Sequence, residues 1–370
     1  MHAPDNFPSP TERLVTSFRF ELLAERDGVR RGRYHTPHGS FETPCFAPVG
    51  TRAALKGLTP AQVKETGAEL ILANAYHLFL RPGAEMIARR GGLHRFMAWD
   101  GPILTDSGGF QIFSLAHLSQ IDDDGVTFRS IIDGSQQRLT PERALEVQRD
   151  LGPDIAMILD ECAAGDADTT TVQRAHVRTL QWAERARTLH AQWGDSARGQ
   201  ALFGIVQGGT DPELRAQSAD AMVALDFDGY AIGGLSVGET KERMAIALDA
   251  AATRLPRDKL RYLMGVGTPE DFALATRHGV DLFDCVTPTR HGRNHQAFTR
   301  EGNLKLRNAR FAEDDAPLDA ACACYTCRTF SRAYLRHLCA SEEMLAGILL
   351  SLHNIHYFQD LMRGIREAVG

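Results

Sequence analysis

An aspartate followed by basic residues is the first group of side chains that could do chemistry. Asp284 lies in the short apolar run that begins at Leu282, and Arg290 and Arg293 follow it after a proline turn. A buried parallel strand can deliver a carboxylate to a rim in this way, and guanidinium groups beyond it can hold phosphate. The pattern predicts an acid that acts on a polyanionic substrate. A strand end followed by a solvated basic loop is the alternative that this stretch alone leaves open.

A second carboxylate lies in a glycine-rich segment. Asp106 is followed by Ser107-Gly108-Gly109-Phe110-Gln111, where the glycines let a ligand approach the backbone closely and Phe110 offers a flat face for stacking. Asp106 and Asp284 together would suit displacement at an anomeric carbon, where one acid attacks and the other manages protons. A plain turn at the Asp-Ser-Gly-Gly sequence is the alternative.

Other polar positions could recognise a nucleobase. Asp160 could accept hydrogen bonds from the Watson–Crick edge of a purine, and the amide of Gln207 could read a purine carbonyl or ring nitrogen. Gly233-Gly234 could bring the backbone close to the same ligand, and it is also compatible with a tight turn. For Asp160-Glu161, the alternative is a salt bridge within the mouth of the fold.

Three cysteines near the C-terminus predict a metal site. Cys322, Cys324 and Cys327 offer three thiolates, and tetrahedral zinc requires a fourth ligand. The candidates for that ligand are His353, His356, His337 and Cys339. We favour His353, because three cysteines and one histidine would tie the loop to the last helix. Four protein ligands leave no open coordination position, so the zinc is predicted to be structural rather than catalytic. Three incidental thiols are the alternative.

Short apolar runs separated by helical segments must position these side chains. The runs lie at residues 45–49, 70–73, 103–105, 155–159, 201–206, 229–232, 261–266 and 282–286. Helices are predicted to begin at Thr59-Pro60, Thr140-Pro141 and Thr268-Pro269, where threonine caps the helix and proline takes its first position. Strands that are apolar throughout and alternate with helices predict an α/β protein, a (β/α)8 TIM barrel. A doubly wound open sheet is the alternative. In a barrel, the polar residues at the C-terminal strand ends converge on one pocket.

Segments outside this alternation complete the predicted domain plan. The polar turn at Asp27-Gly28 predicts an N-terminal β-hairpin that caps the barrel. Residues 1–15 carry no signal-peptide pattern and are predicted to form a flexible tail. Residues 16–300 are assigned to the barrel with its cap, and residues 301–370 to a zinc-binding subdomain with a long closing helix.

Composition restricts the class of protein. With 370 residues and 43% hydrophobic content, the chain can bury a large core. A net charge of −6 excludes a general nucleic-acid coat, so any nucleic acid must be bound by a local basic patch. The apolar run near residues 345–352 is too short to cross a bilayer. Seven cysteines, three of them clustered, indicate reduced thiols with a metal site rather than a disulfide framework, so a cytoplasmic protein is expected. No contact with a membrane is expected.

The order of these motifs resembles that of the bacterial tRNA-guanine transglycosylases, which are pentosyltransferases of the queuine tRNA-ribosyltransferase family. The likeness runs from about Pro44 to the C-terminus. The segments that carry it are Pro48-Val49-Gly50-Thr51, Asn74-Ala75-Tyr76-His77-Leu78, Leu80-Arg81-Pro82-Gly83, Gly92-Leu93-His94, Asp106-Ser107-Gly108-Gly109-Phe110-Gln111, Gly204-Ile205-Val206-Gln207-Gly208-Gly209, Ile232-Gly233-Gly234-Leu235-Ser236-Val237-Gly238-Glu239 and Phe283-Asp284-Cys285-Val286-Thr287-Pro288-Thr289-Arg290. The resemblance implies exchange of the wobble guanine of certain tRNAs for 7-aminomethyl-7-deazaguanine, in queuosine biosynthesis.

The resemblance also implies a role for each carboxylate. Asp284 would attack the ribose anomeric carbon and expel guanine, which gives a covalent tRNA–enzyme intermediate. Asp106 would act as general base on the incoming deazaguanine, which then displaces Asp284 with net retention of configuration. The residues expected around the base and ribose are Asp160, Gln207, Gly234, Leu235, Phe110, Met264 and Asn74. Of these, Phe110 and Met264 would sandwich the base, and Asn74 would lie near the ribose.

Further residues are assigned by the same resemblance. Lys56, Arg290 and Arg293 would contact the backbone of the anticodon loop, where a single strand makes base extrusion inexpensive. The fourth zinc ligand of the family matches His353. Thr268 stands where many members carry lysine; it is predicted to be a helix cap, which removes one phosphate contact.

Substrate choice and oligomeric state follow from the likeness as well. Val237 resembles the bacterial pattern, whereas eukaryotic catalytic subunits have a smaller residue and accept queuine, so the aminomethyl base is expected. Bacterial members form two-fold dimers through an aromatic cluster near the zinc unit, so a homodimer is expected. The matching positions are Phe96, Phe330, Tyr334 and His337, with Phe330 in place of the more usual tryptophan.

Two functions of other classes make different demands on the chain. A non-catalytic tRNA-binding subunit on the same barrel would be expected to lack the acids, whereas Asp106 and Asp284 are both present. A zinc-dependent barrel hydrolase would need metal ligands at the strand ends, and the sequence offers no histidine pair there.

Overall fold

A computed structural model describes residues 18–114, 119–194 and 199–370, so the predicted tail at residues 1–15 lies outside the described residues. The strands in these ranges are, in chain order, β1 (Arg19–Arg26), β2 (Val29–Thr36), β3 (Gly39–Thr43), β4 (Cys45–Pro48), β5 (Ile71–Ala73), β6 (Ile103–Thr105), β7 (Ser119–Asp122), β8 (Gly125–Arg129), β9 (Gln136–Leu139), β10 (Ile155–Met157), β11 (Ala201–Val206), β12 (Gly229–Ile232), β13 (Leu260–Leu263), β14 (Leu282–Cys285), β15 (Gln296–Ala297) and β16 (Leu304–Lys305).

Helices alternate with most of these strands. They are α1 (Pro60–Glu65), α2 (Ala75–Leu80), α3 (Ala84–Arg89), α4 (Gly92–Met97), α5 (Gly109–Ser114), α6 (Pro141–Leu151), α7 (Thr169–Trp193), α8 (Pro212–Ala224), α9 (Lys241–Ala252), α10 (Pro269–Arg277), α11 (Thr287–Arg293), α12 (Tyr325–Thr329), α13 (Arg332–Ala340) and α14 (Met344–Val369).

The predicted barrel is confirmed. Its strand order is β4-β14-β13-β12-β11-β10-β6-β5, and every pair is parallel. A single parallel bridge between Val49 and Leu72 closes the ring, next to a 2.7 Å bond from the amide of Gly50 to the Leu72 carbonyl. Every residue of these strands is buried, because helices cover the sheet outside and side chains fill it inside. This double burial explains why the strands are mainly apolar, without alternating polar positions.

The N-terminal cap contains the predicted hairpin and one more strand. β1 and β2 pair antiparallel around Asp27 and Gly28, whose φ angles of 50° and 80° suit a tight hairpin turn. β3 then pairs antiparallel with β2, so the cap is a three-stranded sheet. The extra strand leads directly into β4 of the barrel.

The three predicted threonine-capped helices are α1, α6 and α10. The hydroxyl oxygens of Thr59, Thr140 and Thr268 accept hydrogen bonds from backbone amides three residues later, and proline follows each cap. The prediction that Thr268 caps a helix is therefore confirmed. Each helix returns the chain to the start of the next strand. The opposite, C-terminal strand ends can therefore carry polar side chains.

Two elements differ from the sequence expectation. β7, β8 and β9 form an antiparallel sheet inserted after β6, which the apolar runs did not predict. The segment that carries Arg290 and Arg293 is the helix α11, so the alternative of a solvated basic loop is wrong, and the predicted proline turn is the first turn of this helix. Pro288 occupies the first turn of α11, where its missing N–H costs no helical hydrogen bond.

The predicted closing helix, α14, connects distant parts of the chain. The side-chain amide of Asn354 donates to the carbonyls of Pro288 and Gln296, both at 3.0 Å, and so supports α11. Gln359 donates to the Phe46 carbonyl of β4 at 2.9 Å, and Arg366 to the Pro44 carbonyl at 2.7 Å. The boundary between residues 300 and 301 stays a prediction. Within the described ranges, no helix combines the length and the apolar character needed to cross a bilayer.

Candidate active site

A cavity of about 480 Å³ opens at the C-terminal ends of the barrel strands. All the residues that the sequence assigned to base, ribose, catalysis or phosphate line it: Lys56, Asn74, Asp106, Phe110, Asp160, Gln207, Gly234, Leu235, Met264, Asp284, Arg290 and Arg293. Strand ends meet at one face of a parallel barrel, which is why residues far apart in sequence surround one space. Their individual roles stay predictions.

Asp284 lies in β14, and its carboxylate is held by two donors. The hydroxyl of Tyr262 donates to Oδ1 at 2.6 Å, and the backbone amide of Gly265 donates to the same oxygen at 2.7 Å. Among the described residues, Oδ2 receives no hydrogen bond. Burial raises the pKa of Asp284, and the two donors oppose that rise. The carboxylate is thus oriented through one oxygen, with the other available to react.

Tyr262 is a residue that sequence reasoning missed. It lies in β13 opposite Leu282 of β14, and Asp284 follows two residues later on the same face of its strand. In the sequence, the run that contains Tyr262 reads as one more apolar strand. The sequence does contain a signal for this contact. A tyrosine on one strand can reach an acid at the end of the neighbouring strand when the two are offset by two residues.

Asp106 follows β6 and is held by the start of α2. The side-chain amide of Asn74 donates to Oδ2 at 2.5 Å, and the backbone amide of Ala75 donates to Oδ1 at 2.7 Å. Burial raises the pKa of Asp106 to about 6, and the negative charge of Asp284 adds to the rise. A carboxyl group with this pKa can take up and release a proton near neutral pH. Asn74, which was expected near the ribose, lines the cavity with its amide on Asp106.

Asp160 and Gln207 form a second polar group in the cavity. The Gln207 amide nitrogen donates to Asp160 Oδ2 at 2.7 Å, and the Ser107 hydroxyl donates to Oδ1 at 3.2 Å. Burial raises the pKa of Asp160 to about 6. The salt bridge that was the alternative for Asp160-Glu161 is formed by Glu161 and not by Asp160, since Glu161 pairs with Arg178 at 2.5 Å. Among the described residues, Asp160 has no cationic partner and is left to accept from a ligand.

Phe110 and Met264 both line the cavity, and Phe110 is 54% exposed at its opening. Gly109, just before Phe110, approaches Asp160 so closely that an added Cβ would lie 2.6 Å from the Asp160 carbonyl oxygen. The same Cβ would lie 2.8 Å from Oδ1 of Asp160, so a side chain at position 109 would also displace the carboxylate. This approach explains the second glycine of the Asp106 segment.

Three basic side chains, Lys56, Arg290 and Arg293, line the cavity, and a fourth, Arg52, lies near Lys56. Partial burial lowers the pKa of Lys56, and the positive charges of Arg293, Arg52 and Arg290 lower it further. Among the described residues, none of these four cations forms an ion pair with a carboxylate. Like charges held together without counter-ions are typical of a surface that binds a polyanion. Sequence reasoning missed Arg52, because it lies several residues beyond the end of β4 and belongs to no cationic run.

The predicted metal ligands form a buried cluster. The Sγ atoms of Cys322, Cys324 and Cys327 lie 3.7, 3.4 and 3.3 Å from Nδ1 of His353. Tetrahedral zinc, with bonds of about 2.3 Å to sulfur and about 2.0–2.1 Å to nitrogen, would separate these atoms by about 3.6 Å. Nε2 of His353 is 2.7 Å from the Phe298 carbonyl, which fixes the tautomer that leaves Nδ1 free to bind metal. The donor set therefore fits a closed structural zinc site.

Comparison with known proteins gives one consistent family. The family model for queuine tRNA-ribosyltransferase matches residues 26–370. Proteins named queuine tRNA-ribosyltransferase are 53% identical in Ruegeria pomeroyi (95% of this chain, 93% of the relative) and 51% identical in Dinoroseobacter shibae (96% and 94%). The protein of that name from Syntrophobacter fumaroxidans is 52% identical (95% and 93%). A match of this length and identity shows that the chain belongs to the queuine tRNA-ribosyltransferase family, whose members are pentosyltransferases.

Proposed function

We propose that this protein is a tRNA-guanine transglycosylase that exchanges the guanine at the first anticodon position of certain tRNAs for 7-aminomethyl-7-deazaguanine. The observation that carries this proposal is the pair of buried carboxylates, Asp106 and Asp284, on a single cavity at the barrel mouth. The cations around the opening add a surface suited to the anticodon-loop backbone. Family membership supports the same activity within queuosine biosynthesis.

The reaction proceeds in two displacements at the ribose C1′. In the first, an oxygen of Asp284 bonds to C1′ as the bond from C1′ to guanine N9 breaks, and the departing base takes the electron pair and the proton of the Asp106 carboxyl group. In the second, Asp106 takes the proton from N9 of the incoming base, whose nitrogen bonds to C1′ and releases the carboxylate of Asp284. Two inversions give net retention. The pKa of Asp106, about 6, lets one carboxyl group serve both proton transfers.

Base recognition is assigned to the polar group formed by Asp160 and Gln207. Asp160 would accept from the N–H groups of the purine edge, and Gln207 with the backbone at Gly234 and Leu235 would read the remaining atoms. Phe110 and Met264 would cover the two faces of the ring. Val237 also lines the cavity, and its resemblance to the bacterial pattern favours the aminomethyl base over queuine.

An exchange assay tests this function directly. Radiolabelled guanine is incubated with the protein and an anticodon stem-loop that carries guanine at its first position, and label in RNA is counted. We expect incorporation that saturates at one guanine per stem-loop and is chased by 7-aminomethyl-7-deazaguanine more effectively than by queuine. A stem-loop with adenine at that position is the control. No incorporation by correctly folded, metal-loaded protein would rule the function out, and a stronger chase by queuine would reverse the substrate assignment.

The acid side of the pH profile provides a first prediction. Burial raises the pKa values of Asp106 and Asp160 to about 6, and both groups must be ionised to accept a proton or a hydrogen bond from the base. We therefore expect kcat/KM for guanine to fall between about tenfold and a hundredfold for each pH unit below about pH 6. In Asp160→Asn the remaining activity should fall by only tenfold per unit. A profile that stays flat down to about pH 4.5 would contradict both assignments.

The cations at the opening provide a second prediction. Arg52→Gln removes one charge from the group formed with Lys56, Arg290 and Arg293. We expect the Kd for the anticodon stem-loop to rise roughly 3- to 10-fold, and the slope of log Kd against log salt to become shallower by about 0.7. Arg363→Gln, which changes an exposed arginine of α14 away from the cavity, is the control. An unchanged slope in Arg52→Gln would remove this residue from the proposed tRNA surface.

The bound metal is proposed to be Zn²⁺ in a structural role. The donor set and its spacing support zinc, which would hold the loop that carries the cysteines against α14. All seven cysteines are free of disulfides, including the four outside the cluster. Reduced thiols and a tRNA substrate favour the cytoplasm as the place of action.

A homodimer is proposed on the basis of exposed aromatic side chains. Tyr325 and Tyr334 are 47% and 39% exposed, and the ring of Phe330 lies 5.7 and 5.3 Å from theirs. Phe96 is likewise exposed, which leaves a set of aromatic groups suited to an interface.

Substitution at this surface provides a third prediction. Tyr334→Ala should raise the dimer dissociation constant at least about tenfold, measured by sedimentation velocity over a concentration series. Ile246→Ala, at an exposed apolar position on α9, should leave it unchanged. A wild-type protein that sediments as a monomer at micromolar concentration would overturn the dimer.

A further inference from the structure

Arg215 is a fully buried arginine on α8 that does not line the cavity but lies against its wall. Its guanidinium donates only to backbone carbonyls: Val206 at 3.0 Å, Gly209 at 2.7 Å, Gly233 at 2.7 Å and Gly234 at 3.3 Å. Among the described residues, no carboxylate pairs with it, and burial lowers the pKa of Arg215 to about 10. A charged group kept away from water without an ion pair needs a reason beyond packing.

The four carbonyls belong to two loops that form one side of the cavity. Val206 and Gly209 end and follow β11, whereas Gly233 and Gly234 follow β12, its neighbour in the barrel. The planar guanidinium therefore joins the ends of two adjacent strands at the point where both meet the ligand space. Ser218, one turn further along α8, accepts a hydrogen bond from the backbone amide of Gln207 at 3.1 Å. The buried face of α8 thus supports both loops from below.

The geometry of the peptide bond shows what this support presents to the cavity. In a trans peptide the C=O and the N–H of the same unit point in opposite directions. Because the carbonyls of Gly233 and Gly234 point at Arg215, the N–H groups of Gly234 and Leu235 point away from it. Gly234 and Leu235 line the cavity, so these two donors face the ligand space. The φ angle of Gly234 is +66°, and an added Cβ would lie 2.3 Å from Oε1 of Gln207, so the arrangement requires glycine.

We propose that Arg215 is a positioning residue that aims the backbone N–H groups of Gly234 and Leu235 at the carbonyl oxygen of a bound purine. This inference rests on the proposed function, whose substrate base carries such an oxygen. The guanidinium fixes the direction of both peptides, and its charge polarises them, which strengthens N–H donors at their opposite ends. A lysine could not replace it, because one ammonium group cannot span carbonyls from two loops.

The test separates base recognition from folding and from tRNA binding. For Arg215→Lys and Arg215→Gln, four quantities are measured: the KM values for guanine and for its thiocarbonyl analogue thioguanine, the Kd for the anticodon stem-loop, and Tm. Thioguanine keeps the N–H edge of guanine but replaces its carbonyl oxygen with sulfur, a weak acceptor. We expect KM for guanine to rise about tenfold to a hundredfold in both variants, with KM for thioguanine and Kd for the stem-loop changing less than about threefold. Wild-type preference for guanine over thioguanine would largely disappear.

Arg254→Gln is the matched control. Arg254 follows α9 and pairs at 2.9 Å with Asp220, which lies on the exposed side of α8, the helix that carries Arg215. It should leave every value near that of the wild type. The inference is overturned if the Arg215 variants lose both bases equally, if stem-loop affinity falls in parallel, or if neither variant folds, since each result would make Arg215 a general structural residue. A wild type with no preference for guanine would overturn it too. Failure of the proposed function is distinguishable, because the wild type would then exchange no base at all.

Discussion

Replacement of Asp284 with asparagine is expected to reduce guanine exchange by at least about 10⁴-fold, because the amide cannot form the bond to C1′. The other aspartates that line the cavity are not placed to take over. Asp106 is held by Asn74 and Ala75, and Asp160 by Ser107 and Gln207. The loss should therefore appear in kcat, with the Kd of the anticodon stem-loop unchanged.

The role of Asp284 can also be tested by trapping the covalent protein–RNA intermediate, which requires no complete turnover. The protein is mixed with the stem-loop in the absence of free base, denatured in SDS and separated on a gel. The wild type should give a slower band that contains both protein and RNA, and Asp284→Asn should give none. Asp284→Ala guards against deamidation of the new asparagine.

Tyr262→Phe is the control for this experiment, since it removes one of the two donors to Asp284 and keeps the carboxylate. It should retain the covalent band and lose roughly tenfold in exchange rate, the effect of one hydrogen bond to a charged group. Exchange above about 1% of the wild-type rate in both Asp284 variants, or a covalent band in either, would remove Asp284 from the role of nucleophile.

Loss of the metal is expected to have the largest effect on stability. His353→Ala or Cys324→Ser leaves three ligands, and structural zinc contributes on the order of 10 kcal/mol to small units of this kind. The bound zinc, measured by plasma mass spectrometry, should fall from about one equivalent to almost none. The unfolding temperature should fall by more than about 10 °C.

Cys339→Ser provides the matched control within the same part of the chain. Cys339 is buried in α13 but lies outside the cluster, and burial raises the pKa of its thiol to about 11. This variant should keep its zinc and most of its unfolding temperature. If zinc remained at one equivalent in His353→Ala, the fourth ligand would have to be another residue.

The barrel and the polar residues at its strand ends could be predicted because both depend on local patterns. Each barrel strand is buried on both faces, so its residues are mainly apolar without alternation, and threonine-proline pairs mark helix starts regardless of tertiary context. Chain order then brings the strand ends together. Asp106, Asp160, Gln207 and Asp284 follow from that geometry alone.

The missed features depend on contacts that no local pattern carries. β7 has mostly polar and mostly exposed residues, with Ile121 as its one apolar side chain, so it shows no apolar run that would predict a strand. Arg215 lies in a helix where a lone arginine ordinarily faces water, and only the position of α8 against two loops buries it. Tyr262 reads as one more large residue of a buried strand until the register of β13 and β14 is known. Arg52 gains its meaning only from Arg290 and Arg293 on a distant helix.

The contacts of α14 have a consequence for the order in which the protein can be built. This helix bonds to Pro44 and Phe46, which lie 322 and 313 residues before their partners Arg366 and Gln359, holds α11 through Asn354 and supplies His353 to the cysteine cluster. The first strand of the ring therefore gains these contacts only after the residues of α14 have been synthesised. Until then α11 lacks the support of Asn354, so assembly of the cavity depends on a late, long-range step of folding.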